Sequence, residues 1–307
     1  MKNNILDIKG ISVGQCEDRK GKTGVTVVIV PDGAVCGVDV RGAAPGTRET
    51  DLLDPVNAME KVNAVVLSGG SAFGLEAANG VMEYLEKKGI GFDVGCTVVP
   101  IVPQAVLFDL AYGDAQCRPD KKMGYTACEN ASHEILKEGS VGAGCGATVG
   151  KLYNMECCTK SGIGSYAETL ENGITVAALI AVNAFGDVLE NGKIIAGTTN
   201  KEKTAFIDTE KTMLQMASTP TFHGQNTTIG IIATNVALTK AEAKKVAGMA
   251  HDGLARAIRP VHTQLDGDTL FCLSTGEIQH PRPIVDLIGT LAACVTEQAV
   301  IQAVKKA

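Results

Sequence analysis

Three stretches of this chain are apolar almost without interruption over the length of a β-strand: VNAVVLS (62–68), GITVAALIAVN (173–183) and TIGIIAT (228–234). A strand with one wet face alternates apolar with polar residues, so runs of this kind read as buried strands. A fold that buries several of them needs cover on both sides of its sheets. That cover is present in the sequence. Residues 239–257 carry Val246, Met249, Ala250, Gly253, Leu254 and Ala257 on one helical face, opened by a Thr239–Glu242 capping box. Residues 283–305 form a long helix with few charges between Ile284 and Val295, a pattern expected in a core or at a subunit interface.

Other elements are placed by local signals. Residues 24–30 and 34–40 read as two strands folded into a hairpin across Pro31-Asp32-Gly33. Residues 50–60 read as helix, as do those following SGGSAFGL to about 88 and those at 122–137. Residues 97–103 and 268–275 read as strands. FGDVLENGKII turns at Asn191-Gly192. Residues 199–225 are polar with no period and read as a loosely held linker. Strands and helices mix without strict alternation, and no internal repeat is visible. The pattern favours α+β with layered sheets over a doubly wound parallel sheet.

Composition narrows the functional classes. The core must be built from Ala, Val, Ile and Leu, because aromatics make up only 4% of the chain and Trp is absent. Net charge is −6 and no long Lys/Arg cluster occurs, which argues against nucleic acid as a partner. The polar start MKNNILDIKG lacks an apolar h-region, and no run reaches the roughly 18 uninterrupted apolar residues of a membrane span. The expectation is a cytoplasmic protein with no membrane association. Its ten cysteines contain no C-x-x-C pair and are expected to be free thiols, with Cys157-Cys158 the pair to watch for redox sensitivity.

Several motifs could carry chemistry, each with a plainer alternative. SGGSAFGL (68–75) misses the phosphate-loop and nucleophile-elbow spacings, which leaves a tight turn with Ser71 as N-cap or a backbone contact to substrate near Gly70 and Ser71. The five histidines form no metal-binding pair, and no metal is expected; His251 reads as a surface or satisfied side chain. GSVGAGCGATVG (139–150) could wrap a ligand with backbone amides, followed by Lys151, which alone reads as a surface lysine. Asp266-Gly267-Asp268 puts two carboxylates at i and i+2, either projecting together from a strand or lying in a solvated turn. Asn226-Thr227 opens a buried strand after the linker. Thr227 is either a plain β-branched residue or a self-cleaving one. In the second reading its hydroxyl attacks the Asn226 carbonyl, and the freed α-amino group, titrating near about 7.7–8.0, then serves as base.

With these pieces assembled, the chain resembles the DmpA-type aminopeptidases and, more closely, the nylon-oligomer hydrolases of the same family. The markers are RGAAPGTRETDLLDP (41–55), VVLSGGSAFGL (65–75), GSVGAGCGATVGK (139–151), KSGIGSYA (160–167), AALIAVNAFGDV (177–188), NTTIGIIATN (226–235), HDGLARAIRPVHT (251–263) and DGDTLFCLSTG (266–276). The resemblance implies a four-layer α-β-β-α sandwich formed by one domain, residues 1–307, which self-cleaves into an α chain 1–226 and a β chain 227–307. It implies a homo-oligomer of these αβ units and no cofactor. Thr227 becomes the nucleophile, Asn183 the oxyanion donor, Lys151 the active-site lysine, and Asp266 with Asp268 the acidic support. The implied substrates are small peptides, β-amino acyl amides or ω-amino acid oligomers. Acyl transfer through the same intermediate, or an uncut non-catalytic homologue, are the competing readings. Phe108 departs from the family, which often has Tyr there; the phenolic donor is lost unless Tyr112 replaces it.

Overall fold

The computed structural model describes residues 2–216, 226–280 and 284–307. The strands in chain order are β1 (Ser12–Asp18), β2 (Thr23–Val40), β3 (Thr47–Arg48), β4 (Lys61–Ser68), β5 (Phe92–Asp93), β6 (Val98–Val99), β7 (Gln104–Val106) and β8 (Thr148–Val149). They continue with β9 (Thr159–Lys160), β10 (Ile163–Thr169), β11 (Thr175–Asn183), β12 (Asp187–Glu190), β13 (Lys193–Ala196), β14 (Thr227–Val236), β15 (Ile258–Arg259) and β16 (Thr269–Ile278). The α-helices are α1 (Ala77–Lys87), α2 (Lys121–Glu129), α3 (Thr209–Gln215), α4 (Lys240–Ala257) and α5 (Val285–Lys305).

The main strands are hydrogen-bonded in the order β10-β11-β14-β16-β2-β4-β7-β3, with β1 also on β2. The ladder bends into two facing layers at β2. The N-terminal half of β2 pairs with β1 and β4, β4 stays paired past the bulge as far as Val35, and Val35–Val40 pairs with β16. Pro31-Asp32-Gly33 is therefore not a hairpin turn. It bulges out where the β2–β4 register jumps between Ile29 and Ala34, and the chain continues in the same direction. The sequence signal for a break was real; the break is a corner between layers.

Three apolar cores separate four layers. Alternate residues sort to opposite faces, as a period-2 strand requires. On β11, Ala177, Leu179 and Ala181 point into the core between the sheets, with Ile229, Ile231 and Phe271. Val176, Ala178, Ile180 and Val182 point into a second core under α4 and α5. On the other sheet Val65 and Leu67 face inward, while Ala64 and Val66 pack beneath α1 and α2. This is the α-β-β-α sandwich, and it explains why these strands are apolar on both faces. α5 is long and apolar enough to cross a membrane, but here it packs on α4 and contributes Ile288, Ala292 and Val295 to the second core.

Some local expectations differ. Residues 50–60 hold only a 3-10 turn at Asp51–Leu53, because Pro55 and the Asn57 turn interrupt any helix. The 97–103 strand shrinks to Val98–Val99, and α2 stops at Glu129 rather than reaching 137. Ser71 is not an N-cap: Gly70 occupies that position with φ +80°, and Ser71 lies inside the 3-10 turn Ser71–Glu76. The linker contains α3, capped by Asp208; residues 217–225 lie outside the described residues. The Thr239–Glu242 capping box is present, as is the Asn191-Gly192 turn between β12 and β13 with both residues at positive φ.

Candidate active site

Thr227 is the first residue of β14 and faces Asn183, the last residue of β11. On its other side β14 runs parallel to β16, and that ladder extends backwards so that Asn226 bridges Asp266. Two hydrogen bonds fix the Asn226–Thr227 peptide. The Asn226 N–H donates to the Leu265 carbonyl, and the Asn226 carbonyl accepts the Gly267 N–H at 2.8 Å. The Thr227 hydroxyl also lies against the Asn226 carbonyl oxygen. Gly267 must be glycine here. A Cβ would sit 2.5 Å from the Ala44 carbonyl oxygen and 3.0 Å from the Thr227 hydroxyl.

Asn183 is fully buried, and both the oxygen and the nitrogen of its amide are hydrogen-bonded. Its Oδ1 accepts from Lys151 Nζ at 2.7 Å and from the Thr148 N–H at 3.1 Å; its Nδ2 donates to the Phe108 carbonyl at 2.8 Å. Lys151 is also buried, not a surface lysine. Burial pushes its pKa down to about 7, against a partial upward pull from Cys158, Asp266 and Asp109. An uncharged amine is thus accessible near neutral pH.

Asp266 and Asp268 are buried rather than in a solvated turn. They have separate partners. Asp266 Oδ2 accepts the Thr263 hydroxyl and N–H, and its Oδ1 accepts the Phe185 N–H at 3.4 Å. Asp268 Oδ1 accepts the Thr228 N–H at 2.6 Å. Burial first, and the Asp268 charge second, push Asp266 up to about 6.

A cleft of about 180 Å³ opens on Thr227, lined by Ala44, Pro45, Gly46, Ser71, Ala72, Val106, Leu107 and Phe108. Ser71 sits there in the left-handed region, φ +54°, a strained conformation for a non-glycine residue. Gly70 lies behind the cleft, its N–H held by Asp109. Tyr112 is not among the cleft residues; its ring is near Lys160. Most amides of the glycine passage 139–150 are committed within the protein. The Gly142 and Ala143 amides bind Glu17 and Thr26, and the Gly144, Cys145 and Ala147 amides bind carbonyls of the same passage. Its glycines permit close packing instead, as at Gly146, where a Cβ would lie 2.0 Å from the Lys22 carbonyl oxygen.

Tertiary structure thus brings Thr227, Asn183, Lys151, Asp266 and Asp268 together from four sequence-distant segments. Sequence reasoning missed Thr263, His262 and Gly267. The HDGLARAIRPVHT marker pointed at the first two, and its partner DGD contains the third.

Comparison with known proteins agrees with this architecture. The profile of Peptidase family S58 matches residues 3–307. An uncharacterized aminopeptidase of Mycobacterium leprae (strain TN) is 44% identical, covering 90% of this chain and 80% of its own. A 6-aminohexanoate-oligomer endohydrolase of Kocuria sp. (strain KY2) is 31% identical, covering 98% and 85%. Among solved structures, the L-aminopeptidase D-Ala-esterase/amidase of Ochrobactrum anthropi, described as a variant of the Ntn hydrolase fold, aligns with TM-score 0.74 at 18% identity over 100% of this chain and 86% of that one. The class is therefore a peptidase or hydrolase on an Ntn-hydrolase-type sandwich. This chain belongs to peptidase family S58.

Proposed function

We propose that the chain cuts itself between Asn226 and Thr227 and then hydrolyses small amides through an ester on Thr227. The observation that carries this reading is the grip on one peptide bond. The Thr227 hydroxyl lies against the Asn226 carbonyl while the Gly267 N–H donates to the same oxygen. Attack by Oγ1 on that carbonyl carbon puts negative charge on an oxygen already facing a donor. The Thr227 hydroxyl proton passes to the Thr227 nitrogen, whose C–N bond breaks to leave an ester, and water then releases Asn226 as a carboxylate and frees the Thr227 hydroxyl beside its new amine.

The same hydroxyl then faces the cleft. The new amine takes its proton, a role helped by its ordinary pKa near about 7.7–8.0. Attack on a substrate amide gives an acyl ester and expels the amine product; water completes the turnover. Lys151, accessible as an uncharged amine near neutral pH, keeps Asn183 in place and is a second proton acceptor at the site. The small cleft, with a lining of mixed polar and apolar character, suits a short acyl unit, in keeping with the relatives named for aminopeptidase and 6-aminohexanoate-oligomer activity. We place the enzyme in the cytoplasm as a homo-oligomer of αβ units.

Denaturing mass spectrometry of the purified protein tests the reading. Two chains, one ending at Asn226 and one starting at Thr227, are expected, with a single full-length mass for Thr227→Ala. An uncut wild type after long incubation at neutral pH sinks it and favours the non-catalytic alternative. Adding an amine acceptor to the amidase assay separates hydrolysis from acyl transfer.

A further inference from the structure

The HDGLARAIRPVHT segment supplies two histidines that the reaction above leaves unused. His262 Nδ1 lies 2.7 Å from Asp268 Oδ2, and the His262 backbone N–H is 3.2 Å from the same oxygen. The other oxygen of that carboxylate accepts the Thr228 N–H, the amide next to the nucleophile. Asp268 therefore bridges the histidine and the first turn of chain after the cut. With a carboxylate as acceptor, His262 Nδ1 carries the proton. The ring is held from behind by an edge contact with His251, 4.8 Å between centroids, and His251 Nε2 is itself bonded to the Asp39 carbonyl. His262 adopts φ +56°, a left-handed conformation uncommon for a non-glycine residue. Strain of this kind persists where the surroundings over-determine it, and it clusters at functional sites.

The geometry assigns His262 as a positioning residue: by donating to Asp268 it keeps that carboxylate aimed at the Thr227–Thr228 backbone. This rests on the reading of Thr227 as the self-cleaving nucleophile. Other charged or titratable groups on the elements packed around the pair are Asp266, whose charge acts on the same site, Asp39 and Arg41 at the end of β2, and His251 and Asp252 on α4. His251 is held well below its ordinary value, about 4, chiefly by burial, and so stays neutral beside His262.

Two substitutions separate this role from packing, because both tolerate positive φ. His262→Gly removes the donor. His262→Asn restores one at the position of Nδ1. Full-length wild type and both variants are made by cell-free translation and followed by timed denaturing mass spectrometry between pH 5 and 9. His262→Gly is expected to slow cutting by about 10- to 100-fold at neutral pH, the scale of one hydrogen bond to a charged group. His262→Asn should recover most of the rate. Equal slowing in both variants, or no slowing in either, overturns the assignment. An uncut wild type overturns the reading of Thr227 first and the assignment with it.

Discussion

Asn183 and Thr227 are register partners at the open end of the antiparallel pair β11–β14. Directly opposed residues in such a pair share one face of the sheet, with Cβ atoms about 5 Å apart. The side chain that organises Lys151, Thr148 and the Phe108 carbonyl therefore stands beside the threonine hydroxyl because of strand pairing alone.

That pairing makes Asn183→Asp informative. The new carboxylate keeps an acceptor for Lys151 Nζ but adds a charge that raises the lysine pKa, and it removes the donor to Phe108. Amide hydrolysis should fall by about 100-fold at pH 7. The activity profile should move to higher pH. A kcat/KM profile on a small amide checks both; an unchanged profile would show that Lys151 does not act as an uncharged amine.

The two shifted groups also set how wild-type rate and stability depend on pH. Activity should rise as Asp266 ionises around 6 and Lys151 loses its proton around 7. Stability behaves differently for each. Asp266 is raised above its unfolded value, so the folded state holds more protons between about 4 and 6 and its stabilising contribution is lost as pH climbs through that window. Lys151 is depressed, so the unfolded state holds more protons between about 7 and 10.5 and stability from this group grows with pH there. Thermal melts of wild type against Asp266→Asn should therefore diverge in the variant's favour by a few degrees from pH 4 to 6.5.

Phe108→Tyr places a hydroxyl donor in the cleft next to Thr227. If the missing donor limits substrate polarisation, kcat should rise several-fold with KM little changed. Steady-state kinetics on one chromogenic amide decide it, and a loss of rate would show that the cleft is shaped for the bare ring.

The helical layer makes a prediction free of chemistry. A Cβ on Gly253 of α4 would lie 2.2 Å from the Ala293 carbonyl oxygen of α5. Gly253→Ala must push the two helices apart and should cost about 1–3 kcal/mol in urea unfolding. The cutting rate should be unchanged, since neither residue approaches Thr227.

The sequence alone determined the layered character of this protein. Runs such as TIGIIAT and ITVAALIAV are apolar almost throughout, and a strand of that kind is stable only when both its faces are covered. It also determined the start of α4, where Thr239 and Glu242 cap each other locally, and it drew attention to Asn226-Thr227, Lys151 and the Asp-Gly-Asp segment. Tertiary structure decided what these short signals meant. Pro31-Asp32-Gly33 has the composition of a hairpin turn, yet β4 pairs with β2 on both sides of it and β16 takes up the stretch beyond, so the chain keeps its direction. Lys151 and Asp266 look like surface charges in sequence because burial depends on which distant segments cover them. Their shifted protonation, the Gly267 N–H on the Asn226 carbonyl and the hold of His262 on Asp268 follow from the pairing of β14 with β11 and β16. No local pattern encodes that non-local pairing, which only the packed sandwich fixes.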